Sequence, residues 1–323
     1  MTKILILDVS VVIPLYNEKE SLIELYDWIY SNFKMSKYSF EVIFIDDGSN
    51  DESWKIICEL IKKSNNVRGI SLVKNYGKSQ ALNAGFKHAK GNLIATLDAD
   101  LQDSPDELIP MIEMLKKENL DIVSGWKKIR HDNLFLKNLP SKLFNFSARA
   151  ISGIKLHDFN CGIKVYKKNV IKSINVSGEM HRYIPFLASQ AGFKKISEKE
   201  VKHQKRKYGV TKFGSERFIN GFLDLLTLWF LDKFGKRPMH FFGLIGSLMF
   251  SVGLIFTIYL GIDKIYFNTN SRLITERPQF FIALTTIIIG VQFFISGFIG
   301  ELLLRQRRNS DKDYTISQII PSD

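Results

Sequence analysis

Between residue 10 and about residue 124, short β-branched runs alternate with longer stretches whose apolar positions recur every three or four residues. SVVIPL is followed by EKESLIELYDWIYSNF, FEVIFID by DESWKIICELIKK, VRGISLV by GKSQALNAGFKHAK, and NLIATLD by PDELIPMIEMLKK; DIVSG closes the series. Strand and amphipathic helix in repeated alternation predict an α/β unit with a mostly parallel sheet covered by helices. Residues 125–215 are less periodic and richer in Lys, with helices expected over 141–151 and 182–190. This stretch is expected to elaborate the acceptor side of the domain.

The pattern then changes scale. Residues 241–262 and 279–300 contain no Asp, Glu, Lys or Arg, and as helices each would cross about 30 Å of hydrocarbon. A pair of buried core helices is the alternative, but core helices of that length usually carry a polar face, and neither run does. Two membrane spans are therefore expected, at 240–262 and 279–302. Just ahead, RFINGFLDLLTLWFL (217–231) is apolar on more than one face, is interrupted by Asp224 and is bounded by Arg217 and Lys233. It reads as a helix lying at the headgroups, with a buried domain helix as the alternative. The expected organisation is an N-terminal α/β domain over 1–215, an interfacial region over 216–237, a two-helix hairpin over 238–304 and a polar tail over 305–323.

Charge orients this plan. Lys233, Lys236 and Arg237 precede the first span while Arg305, Arg307 and Arg308 follow the second, so the N-terminal domain and both termini are expected on the cytoplasmic side of the cytoplasmic membrane. No small-residue cleavage site follows the short apolar start, so no cleavable signal is expected. The formal net charge is +12. It is unaccompanied by a nucleic-acid motif, so the expected anionic partner is a lipid phosphate or membrane surface rather than nucleic acid. Cys58 and Cys161 have no metal-type spacing and are expected to be reduced, structural thiols.

Against this basic background, LIATLDADLQD (93–103) places three carboxylates in six residues behind a strand. Asp98 and Asp100 are one residue apart, so on an extended backbone they leave the same face. With Gln102 as a neutral oxygen donor they could hold Mg²⁺ or Mn²⁺ against a diphosphate; an ordinary acidic turn is the alternative. Asp46 and Asp47, in IDDGSND, could accept hydrogen bonds from a nucleobase or ribose, or could simply shape a turn. Pro14, Tyr16 and Glu18 would form a wall beside them. Three polar strand ends facing one crevice, at the carboxyl edge where α/β sheets bind ligands, favour a site. Arg206 and Lys212 are candidates for a phosphate because guanidinium and ammonium groups pair with its oxygens. Lys127, Lys128 and Arg130 form a second basic group, or a solvated surface.

VVIPLYNE (11–18), IDDGSND (45–51), KNYGKSQALNAGF (74–86) and LDADLQD (97–103), in this order, resemble the inverting nucleotide-sugar transferases of glycosyltransferase family 2. HDFNCGIKVYKK (157–168), GEMHRYIPFLASQAGF (178–193) and KHQKRKYGVTKF (202–213), followed by two spans, resemble its polyprenyl-phosphate group, which includes dolichyl-phosphate mannose synthase and bacterial undecaprenyl-phosphate glucosyltransferase. The resemblance runs from about residue 11 to 304. It implies a GT-A-like domain that transfers a hexosyl group from a UDP- or GDP-sugar to a polyprenyl phosphate, with inversion. It further implies donor contacts from Pro14, Tyr16, Glu18, Asp46, Asp47, Asn75, Lys78 and Asp98, and a Mg²⁺ or Mn²⁺ ion at Asp98, Asp100 and Gln102. Asp100, Asp158 and Arg206 take catalytic roles, with Asp158 at the position of a base; orienting an acceptor-binding Arg or the sugar, or a buried structural role, are the alternatives for Asp158. Lys127, Arg130, Arg182, Arg206 and Lys212 become the acceptor-phosphate contacts. The family's habit of assembling implies a homo-oligomer of unset number. A lipid-linked glycan or polysaccharide acceptor is the alternative, disfavoured by the lack of the Arg-Trp pair of processive relatives. A non-catalytic membrane scaffold is a third reading that the intact acidic triplets disfavour.

Overall fold

The computed structural model describes residues 7–128, 149, 153–176, 180–208, 223, 226–227, 229–230, 233–234, 237–267 and 273–307. The chain divides into two compact units, Met1–Leu226 and Thr227–Asp323. That division falls inside the stretch expected to lie at the headgroups, most of which is outside the described residues. So are nearly all of the helix expected over 141–151 and the candidate phosphate contacts Arg130 and Lys212.

In the first unit, β1 (Val9–Leu15), α1 (Leu22–Lys34), β2 (Phe40–Asp46), α2 (Ser53–Lys63), β3 (Val67–Ser71), α3 (Lys78–His88), β4 (Leu93–Thr96), α4 (Leu108–Lys117) and β5 (Ile122–Trp126) follow the expected alternation. Then come β6 (Lys164–Lys167), α5 (Lys168–Lys172), α6 (Ile184–Gln190) and β7 (Ile196–Glu200). The strand order is β3-β2-β1-β4-β6-β5-β7. β1 lies parallel to both β2 and β4, while β6 is inserted antiparallel between β4 and β5. This is the GT-A-like α/β fold, a mostly parallel sheet in which β6 is the reversed strand.

Both faces of the sheet are buried, which explains the nearly continuous apolar strands. Val9, Val11, Ile13, Val42 and Phe44 pack with α1, α2 and α4 on one side. Val12, Ile43 and Ile45 pack with Ala81, Leu82 and Phe86 of α3 on the other. Strand order reverses direction around β1, so the loops after β1 and β4 open a crevice at the carboxyl edge.

The second unit contains α7 (Pro238–Ile262) and α8 (Pro278–Arg307), both long and apolar enough to cross a membrane. Leu244, Leu248, Ile255, Ile282 and Leu303 are exposed along them, as a lipid-facing surface requires. The two helices cross at glycines: a Cβ on Gly290 would lie 2.7 Å from the Phe250 amide nitrogen and 2.8 Å from the Gly246 carbonyl oxygen. Close backbone approach through small residues is how apolar helices pack where hydrophobic burial contributes little. At the turn, Arg277 Nη1 and Asp263 Oδ2 pair at 2.7 Å.

Candidate active site

The carboxyl edge of the sheet opens into a cavity of about 340 Å³. Pro14, Tyr16, Glu18, Asp47, Asn75, Lys78, Asp98, Asp100 and Arg206 line it, together with Leu15, Gly77, Ala81 and Ala99. They come from four strand ends and a segment a hundred residues further on, and the fold brings them to one place.

Each wall is built by loop chemistry. After β1 the chain turns through Asn17, held at φ +52°, whose amide donates to Ser49 Oγ at 2.8 Å and whose side-chain oxygen accepts from the Asn50 amide at 2.8 Å. The loops after β1 and β2 are thus laced together, and the Glu18 amide donates to Ser53 Oγ at 3.0 Å. Asp46 and Asp47 are both buried. Asp46 Oδ1 accepts from the Ser49 amide at 3.0 Å, and Asp46 does not line the cavity. The two Asp47 oxygens accept the amides of Tyr76 and Gly77 at 2.8 and 2.9 Å. Of the pair expected to read a base or ribose, Asp46 shapes the loop after β2, while Asp47 both holds the loop after β3 and lines the cavity. Burial pushes the Asp47 carboxyl up, with the two amides opposing.

Two carboxylate and cation pairs face the cavity. Lys78, at the start of α3, holds Asp98 Oδ1 at 2.5 Å. Arg206 Nη2 holds Asp100 Oδ2 at 2.7 Å, and its Nη1 reaches Glu18 Oε1 at 3.4 Å. Burial would raise Asp98, but Lys78 brings it below the usual carboxylate range. Burial and the neighbouring Asp98 charge push Asp100 up, and Arg206 only partly offsets them. Environments that split two adjacent acids in this way are typical of working sites.

Among the described residues no three His, Cys, Asp or Glu side chains converge as a closed metal cage. Asp98 and Asp100 fit a different kind of site: Mg²⁺ is commonly held by one or two carboxylates, with waters and substrate phosphates completing the shell. Gln102 departs from expectation. It offers main-chain groups, its amide donating to Asp100 Oδ1 at 3.2 Å and its carbonyl accepting from the Gln204 amide at 2.8 Å, and it does not line the cavity.

Three further expected residues lie away from the opening. Lys127 is directed to the interior, where its ammonium pairs with Asp103 Oδ1 at 2.6 Å, rather than to an acceptor phosphate. Asp158 is 1% exposed, accepts the Asn160 amide at 3.0 Å in its own turn and does not line the main cavity. A base must reach the proton it removes, so this placement suits a loop-shaping role. Arg182 is buried beside His181, which docks on α3 through Ser79 Oγ.

The Asp103 network was not visible in the sequence. Asp103 forms a β-bridge with His203, whose Nδ1 lies 3.6 Å from its carboxylate, so one buried acid ties the acidic loop to both β5 and segment 201–208. Burial pushes Asp103 up, but Lys127 and His203 overcome it and hold the acid far below its ordinary value. Asp103→Asn is expected to cost about 3–5 kcal/mol in denaturant unfolding, because it strands a buried ammonium. The depressed carboxyl also sets a pH dependence: its contribution is complete above the unfolded value near pH 4 and fades as pH falls toward the lower folded one. A urea midpoint unchanged in Asp103→Asn would refute this.

Comparison with known proteins places these features. Residues 10–174 match glycosyl transferase family 2. Over 317 residues the chain is 33% identical to a dodecaprenyl-phosphate galacturonate synthase of Rhizobium johnstonii, covering 97% of this chain and 93% of that one. It is 34% identical over 299 residues to an undecaprenyl-phosphate 4-deoxy-4-formamido-L-arabinose transferase of Shewanella sediminis, covering 92% and 87%. A glucosyl-3-phosphoglycerate synthase of Mycobacterium tuberculosis, crystallised with Mn²⁺, UDP and glucosyl-3-phosphoglycerate, shares the fold at a TM-score of 0.50 and 16% identity, over 70% of this chain and 79% of that one.

Proposed function

The chain belongs to glycosyltransferase family 2, and from that premise we propose that it transfers a sugar from a UDP- or GDP-sugar to a polyprenyl phosphate, inverting the anomeric centre. The observation that carries this reading is the cavity in which Lys78, Asp98, Asp100 and Arg206 meet. The names of the relatives supply the acceptor class, and two helices able to cross a membrane suit an enzyme whose acceptor stays in the bilayer.

Pro14, Tyr16 and Asn75 form the wall against which the nucleoside would lie, and Lys78 stands beside Asp98 where a diphosphate would enter. Asp98 and Asp100 would hold a Mg²⁺ or Mn²⁺ ion, which would offset the charge developing on the leaving diphosphate. Arg206, already at the cavity rim, would take the acceptor phosphate in its guanidinium fork. A phosphate monoester has a second pKa near 6, so it arrives as an anionic nucleophile and needs little help from a base. That chemistry agrees with the burial of Asp158. The basic residues flanking the hairpin support a cytoplasmic catalytic unit and cytoplasmic termini.

The full-length protein in detergent, given radiolabelled UDP- and GDP-sugars, undecaprenyl phosphate and Mg²⁺ or Mn²⁺, is expected to form lipid-extractable, acid-labile label from one donor. Label that passes only to an oligosaccharide would replace this reading with a glycan acceptor.

A further inference from the structure

Strand β6 begins with a lysine that is 3% exposed. An ammonium so deep in a sheet is rare unless its donors are taken up. Lys164 sits opposite Thr96 in the β4–β6 register. Its Nζ donates to the carbonyl of Phe159 at 3.3 Å and to that of Cys161. Thr96 Oγ1 donates to the carbonyl of Gly162 at 2.9 Å. Three carbonyls of one short loop are therefore gathered onto the start of β6 and the end of β4.

The gathered loop presses on the donor site. A Cβ on Gly162 would lie 2.5 Å from Asp98 Oδ2 and 2.6 Å from its Cγ, so the glycine backbone lies flush against the carboxylate. The Oδ1 of the same carboxylate pairs with Lys78 at 2.5 Å. Lys164 itself borders a small void of about 10 Å³, room for about one water.

We propose that Lys164 is a positioning residue for the transfer reaction, holding loop 158–163 so that Gly162 and Lys78 clamp Asp98 in its ligand-binding orientation. This rests on the reading of Asp98 as a donor and metal ligand. Burial foremost pushes the Lys164 ammonium down in pKa, while Asp158 and Asp98 help to retain its charge.

The test uses full-length protein in detergent. Mn²⁺ affinity is measured by electron paramagnetic resonance, alone and with UDP or GDP, beside donor and acceptor KM. Lys164→Met, which fills the same space without donors, is expected to weaken Mn²⁺ binding and raise donor KM by about tenfold or more, leaving acceptor KM unchanged. Gly162→Ala, a single methyl directed at Asp98, is expected to do the same. The double variant is expected to fall well short of the product of the two effects, since both act through one carboxylate. Unaltered Mn²⁺ binding and donor KM in folded Gly162→Ala, or multiplying effects in the double variant, would overturn the proposal while leaving the functional reading intact. Wild-type protein that binds neither Mn²⁺ nor nucleotide would overturn both.

Discussion

Asp100→Asn is expected to lower kcat/KM for sugar transfer by about 10³-fold, the scale of losing one group that stabilises developing charge, while making the ligand-free protein no less stable. The two effects share one cause. Asp100 is 13% exposed, adjoins Asp98 and has Arg206 as its cation at 2.7 Å. Burial and the Asp98 charge raise its pKa above the ordinary carboxylate value. For an acid, a folded pKa above the unfolded one means that the ionised form opposes folding at any pH above both values. Removing that charge is expected to stabilise by about 0.5–2 kcal/mol, as substitutions at strained sites commonly do. Asn keeps one oxygen, which can accept from Arg206 or from the Gln102 amide but not from both, and Glu18 remains as a second carboxylate for the guanidinium. Thermal unfolding without metal or nucleotide is expected to show an unchanged or higher Tm, and the transfer assay a near-complete loss. Undiminished transfer would remove Asp100 from the reaction, and a large fall in Tm would make it a structural acid.

Much of the fold was legible because periodicity reports burial directly. The four strand and helix pairs up to residue 124 and the two apolar runs correspond to β1 through β5 and to α7 and α8. β6 was not legible. Its sequence, KVYK, resembles a solvated edge, since nothing local reveals that Lys164 is buried against loop carbonyls. Its antiparallel insertion between β4 and β5 is a long-range pairing that no period encodes.

The gathering of Tyr16, Glu18, Asn75, Lys78, Asp98 and Asp100 into one cavity was legible for a topological reason: parallel strands present their carboxyl ends to one edge. The direction of individual side chains was not. Lys127 faces Asp103, twenty-four positions earlier, and Asp47 is held by the amides of a loop nearly thirty residues later. Such partners decide whether a polar side chain addresses a ligand or the fold, and they are fixed only when distant segments meet. Arg206 is the opposite case, since its reach to Asp100 spans 106 positions and still carries it into the cavity.

Arg206→Ala is expected to move two measurements in opposite directions. In the ligand-free site the guanidinium bridges Asp100 Oδ2 and Glu18 Oε1, at 2.7 and 3.4 Å, so it neutralises one of the two carboxylates that a divalent ion would use. Deleting it removes a competing cation, and Mn²⁺ alone is expected to bind several-fold more tightly. The same deletion removes the fork that would receive the acceptor phosphate, and transfer is expected to fall by about 10²–10³-fold, with the KM for undecaprenyl phosphate raised. The backbone has reason to stay in place. The Gln204 amide donates to the Gln102 carbonyl, His203 bridges Asp103, and Lys207 reaches both oxygens of Glu24 at 2.8 Å. The exposed Lys207 pair adds little energy, but the buried bridge at Asp103 anchors the segment. Arg206→Lys keeps the charge without the fork and is expected to recover part of the acceptor affinity. Weaker Mn²⁺ binding in Arg206→Ala would show that the guanidinium supports the ion site rather than competing for it, and an unchanged acceptor KM with a raised donor KM would move Arg206 to the diphosphate.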